Sequence, residues 1–68
     1  MNEELQKRFT YHAPKGDQPD RYGLLRNAAR ELAELITQNV PESRERSIAL
    51  TKLEETSMWA NAGIARNE

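Results

Sequence analysis

YGLLRNAARELAELITQNV, residues 22–40, is followed at once by Pro41-Glu42-Ser43. Its apolar residues recur as Tyr22, Leu25, Ala28/Ala29, Leu32, Leu35/Ile36 and Val40. Steps of three and four keep side chains on one side of a cylinder with 3.6 residues per turn, so the stretch reads as an amphipathic helix. Asp17 or Gln18 can cap its start, Pro19 suits the first helical position, and Asp20 complements the helix dipole. The helix is expected over 19–40, stopping where Pro41 withdraws a backbone donor.

Downstream, Ser43 supplies a second N-cap and Glu45 lies in the turn that follows. Ala49/Leu50, Leu53, Ser57, Ala60 and Ile64 then mark one stripe of a second helix, expected over 43–66 and fraying near Arg66. So short a connection between two long helices forces them antiparallel. Upstream, residues 1–9 are too few for an independent helix and form a leader that is helical only when docked. Residues 10–18, punctuated by Pro14 and Gly16, read as a loop. The expected fold is all-α: one domain over 1–68, an antiparallel helical hairpin with a short N-terminal helical segment.

A chain of 68 residues buries only about 60 % of its unfolded surface, so its core needs a staple. With no cysteine a disulfide is excluded, and with His12 as the single histidine no structural metal site is expected. Association of copies is the remaining staple. The lack of cysteine fits a reducing compartment. MNEELQKRFTYH has no apolar stretch of the signal-peptide kind, and no apolar run approaches a bilayer span, so the sequence predicts a soluble, cytoplasmic protein with no membrane contact. Apolar residues also overflow a single stripe: Leu24 and Leu35 on the first helix, Ile48, Met58 and Trp59 on the second. Left wet they would make a sticky patch, and they are expected to form the interface of a homo-oligomer. Capping of the hairpin's own core by Trp59 is the alternative.

The net charge of −1 and a pI near 5.8 argue against a polymeric nucleic-acid partner, which calls for a basic excess. Residues 1–30 nonetheless carry +2 and residues 31–68 carry −3, a bias that suits a small anion or is ordinary surface scatter. Enzymatic equipment is lacking: no cysteine nucleophile, no metal-ligand cluster, and no phosphate-cradling glycine loop. No catalytic residue and no cofactor is expected. The N-terminal half instead holds a binding mixture, Phe9, Tyr11, His12 and Lys15, then Arg26, Asn27 and Arg30. Aromatic planes stack on bases, and arginine offers a charged fork to phosphate. Arg26 and Arg30 project from one helical face, where an anion between them would relieve their repulsion. The competing reading packs Phe9 and Tyr11 onto the hairpin and pairs the arginines with glutamates.

RFTYHAPKGDQ (8–18) with Arg21 and Tyr22, and SIALTKLEE (47–55) with MWANAGIARN (58–67), resemble small phage proteins of the helical-hairpin family shared by anti-CBASS and anti-Thoeris sponges. The resemblance spans nearly the whole chain. It implies a non-enzymatic phage protein that sequesters the nucleotide second messengers of bacterial immunity. It further implies a homohexamer with cyclic dinucleotides, such as cyclic GMP-AMP, bound between protomers, and a separate site for cyclic trinucleotides. In the family a tyrosine before the first long helix stacks on a base, and a lysine early in that helix touches the ligand. Tyr11 matches the tyrosine, and Arg26 stands where the lysine is expected, keeping the charge but changing its geometry. For the second site the resemblance offers Asn61 and Arg66. A cyclic ADP-ribose-type signal, as for the anti-Thoeris relatives, is a further possibility. The reading from a different class is a structural or adaptor oligomer that binds a protein through Met58 and Trp59.

Overall fold

The computed structural model describes residues 2–68, which form three helices: α1 (Glu3–Phe9), α2 (Gln18–Asn39) and α3 (Arg44–Asn67). Each start satisfies its free amides differently. Asn2 Oδ1 accepts from the Leu5 amide at 2.9 Å, and Ser43 Oγ accepts from the Arg46 amide at 3.1 Å. At α2 the flanking Asp17 makes no side-chain cap bond and pairs instead with Arg21 at 3.2 Å. Gln18 is the first helical residue, and Pro19, which has no amide to satisfy, is the second.

α2 ends at Asn39, and Arg46 reaches back across the connection to donate to the Val40 carbonyl at 3.3 Å. α3 continues one residue past the expected Arg66, to Asn67. Asn67 Nδ2 donates to the Gly63 carbonyl at 2.9 Å, and Lys15 Nζ donates to the Glu68 carbonyl at 2.8 Å.

α2 and α3 pack along their length as the hairpin. Leu25, Ala29, Ala33, Ile36 and Val40 meet Leu50, Leu53, Ser57, Ala60 and Ile64 in a half-buried seam. Leu32, expected on this seam, is exposed, and Ala33 takes its place. Alanine and serine at the centre let the two axes approach, whereas a leucine there would hold them apart. The bulky side chains are displaced to the flanks.

Among the described residues no apolar side chain is buried; Gln18, at 3 % exposure, is the only buried residue. The molecule is a plate of 46 × 26 × 12 Å, and its thickness is that of a single helix. Its surface is 5566 Å². A compact monomer of this mass exposes about 4,400 Å², so roughly 1,200 Å² remains uncovered beyond the ordinary amount. Stable domains have at least two packed layers, and this chain supplies one.

The two faces of the plate differ in chemistry. Helical spacing puts Ala28 and Leu32 on one flank of the seam, where they line a shallow apolar groove with Thr56 and Ala60. Leu24 and Leu35 fall on the same flank of α2 by spacing and are exposed. Arg26 and Arg30 lie on the opposite flank. No helix of the structure is long and apolar enough to cross a membrane.

Candidate ligand-binding site

On the basic face, Arg26 and Arg30 wall an open groove of about 400 Å³ whose other side is Thr51, Glu54 and Met58 from α3. The seam places them together: Ala29 and Ala33 sit at the groove floor, and the arginines rise one turn apart along its rim. Arg26 has no ion-pair partner among the described residues, while Arg30 pairs with Glu34 at 3.5 Å. That pair is exposed and adds little to stability, so both guanidiniums are available to an anion. Volume and charge suit a ligand of nucleotide size, but the groove is open on one side and encloses nothing alone.

The remaining candidates lie elsewhere. Asn27 flanks a smaller polar groove with Arg30, Glu31 and Glu34. Phe9 lines a separate cleft of about 440 Å³ with Arg8, Trp59 and Arg66, where the Arg66 guanidinium lies 5.9 Å from the centre of the Trp59 ring. That distance is at the outer limit of cation–π attraction. Asn61 is half-buried on another side of α3, and its Oδ1 has no hydrogen-bond partner, so one chain does not bring Asn61 and Arg66 together. Tyr11 projects from the loop at 83 % exposure and lines none of these grooves. Tyr11 and Arg26 therefore share no groove within a single chain.

The loop that carries Tyr11 is nonetheless held. His12 Nε2 is 3.1 Å from the Lys7 carbonyl of α1, and Lys7 Nζ donates to Asn67 Oδ1 at 3.4 Å. At the other end of the loop, Gln18 Oε1 accepts from the Lys15 amide at 3.1 Å, and Gln18 Nε2 donates to Glu68 Oε1 at 3.3 Å. Arg21 grips the same carboxylate with both terminal nitrogens, one of them 2.9 Å from Oε2. Lys15 Nζ donates to the Glu68 carbonyl, so this candidate ligand residue is already engaged. Gly16, at φ 58°, turns the chain between Lys15 and Asp17 through a backbone region that side chains avoid.

The bidentate guanidinium and the Gln18 amide favour the charged carboxylate, so Glu68 is lowered to about 2, and Arg21 is raised in turn. Gln18, Arg21 and Glu68 were not among the candidates drawn from residue type. A lone glutamine or glutamate carries no signature in a sequence, and only burial of Gln18 marks it out.

A family model described as Acb2/Tad1, hairpin domain, matches residues 1–65. No curated protein and no solved structure matches the chain.

Proposed function

The chain belongs to the Acb2/Tad1 hairpin family of phage anti-defence sponges for cyclic oligonucleotides, and on that premise we propose that it captures a cyclic dinucleotide between copies of itself and holds it without cleavage. One observation carries the reading. Among the described residues of a single chain no apolar side chain is buried, yet the chain presents a nucleotide-sized groove rimmed by Arg26 and Arg30. Joining copies would cover the leucine flank and close the open side of that groove.

A two-fold interface supplies two copies of each residue, which matches a ligand with two phosphates and two base planes. In this reading Arg26, helped by Arg30 and Asn27, meets phosphate. Tyr11, from the same or a neighbouring copy, stacks on a base, with Phe9 and His12 beside it. Messengers at low concentration demand nanomolar affinity, about −12 kcal/mol, within reach of stacking and charge-assisted hydrogen bonds in a dry pocket. Asn61 and Arg66 are reserved for a second ligand such as a cyclic trinucleotide. The site of action is the cytoplasm of the infected cell, and the assembly is a homohexamer, as in the family resemblance.

Calorimetry with cyclic GMP-AMP, cyclic trinucleotides and a cyclic ADP-ribose-type signal tests the proposal, followed by heat denaturation and recovery of the ligand. Tight binding with intact ligand is expected. No heat with any member of the panel, or recovery of a cleaved product, refutes it. The adaptor reading has its own basis in the exposure of Met58 and Trp59. It predicts that Trp59→Ala abolishes partner capture while Tyr11→Ala changes nothing.

A further inference from the structure

We propose that Gln18, Arg21 and Glu68 are positioning residues: a clasp that fastens the Tyr11 loop to the end of α3 and so keeps that loop ready for its ligand. The proposal rests on the sponge reading above and adds residues that touch no ligand. Gln18, buried at 3 %, is the hub of the clasp. Its carbonyl oxygen takes the Lys15 amide, its own backbone amide donates to the Lys15 carbonyl at 3.0 Å, and its side-chain nitrogen donates to Glu68. Arg21 holds Glu68 from α2 while Asp17 holds Arg21 from the loop side. The Lys15 ammonium closes the circuit on the Glu68 carbonyl, which makes Lys15 a loop anchor in place of a ligand contact. The other end of the loop is tied through His12, Lys7 and Asn67. Both ties lead to the end of α3, one to its last residue, Asn67, and the other to the flanking Glu68.

The exposed loop, punctuated by Pro14 and Gly16, has no apolar packing to order it. Fixing such backbone costs conformational entropy, and hydrogen bonds from three directions offset part of that cost before the ligand arrives. If loss of the clasp leaves a tenth of the molecules with the loop in place, apparent affinity falls about tenfold.

The test is a cycle with the full chain. Glu68→Gln, Tyr11→Ala and the double variant are titrated with cyclic GMP-AMP, their assembly mass is measured, and amide hydrogen exchange is followed across residues 10–18. The expected result is about tenfold weaker binding for Glu68→Gln at unchanged mass, with faster exchange of the Lys15 and Gln18 amides. In the Tyr11→Ala background Glu68→Gln should add nothing further. The exchanged pair Arg21→Glu with Glu68→Arg should recover part of the affinity. Equal losses in both backgrounds would show that Glu68 acts on the fold at large and would overturn the proposal, as would wild-type affinity in Glu68→Gln. A wild-type protein without affinity for any cyclic nucleotide sinks the sponge reading itself, and the positioning role with it.

Discussion

Arg26 owes its place to spacing, and it forms no ion pair among the described residues although Glu54 lines the facing wall of its groove. It stands one turn before Arg30 on the rim of the groove. Tyr11 is the reverse case, a residue whose exposure has no local compensation. Tyr11→Ala should weaken cyclic dinucleotide binding by about 1–3 kcal/mol per base stacked, roughly five- to 150-fold, without changing assembly mass. Arg26→Ala should do likewise, and calorimetry beside native mass spectrometry checks both. Glu68 gives a prediction in pH. Its carboxyl is lowered from 4.5 to about 2, so its contribution is present above about 4.5 and is lost as pH falls toward 2. Melting curves of the wild type should drop through that window more steeply than those of Glu68→Gln. With the pair only half covered, at 36 % and 41 % exposure, the difference is small and shrinks in high salt.

At the scale of helices, the Ser43 cap and the connection were legible in residue types, whereas Asp17, expected to cap α2, pairs with Arg21 instead. Ser43 caps α3 because its hydroxyl reaches the Arg46 amide while its backbone stays extended. Ser43→Ala should cost about 1 kcal/mol, read as a lower urea midpoint at unchanged slope. The face of α2 was only partly legible. Apolar periodicity admits Leu32 to the seam as readily as Ala33, since both lie within the apolar arc. Which of them turns inward depends on how closely α3 approaches, and the small Ser57 and Ala60 opposite allow an approach that favours alanine. Ala29→Leu should therefore overpack the seam and destabilise the hairpin by about 1–3 kcal/mol, measurable by the same denaturation. The contacts at the end of α3 were not legible for a related reason: the donors that meet it, Lys7 and Lys15, are far away in sequence.

On the scale of the molecule, a plate one helix thick cannot be its own solvent shield. The radius of gyration is 15.0 Å, against about 11 Å for a compact chain of this length. The roughly 1,200 Å² of excess surface is more than one partner contributes to a standard interface, about 800 Å², so contact with more than one copy is expected. Charges on the leucine flank, as in Leu24→Asp with Leu35→Asp, should split the assembly and lower helicity on dilution. Sedimentation and circular dichroism at several concentrations check this, because the stability of an assembled chain rises with protomer concentration. A compact, fully folded wild-type monomer at micromolar concentration would remove both the interface and the closed groove.

By itself the sequence determined the helices, their connection, the surplus of apolar residues and the family, because period, capping chemistry and composition are properties of neighbouring residues. The tertiary structure alone decided which alanines form the seam, which flank became basic and which apolar, and that Glu68 meets Gln18 and Arg21. Those outcomes depend on the distance and rotation between helices, which are set by side-chain volume across the seam and by contacts between residues some fifty positions apart.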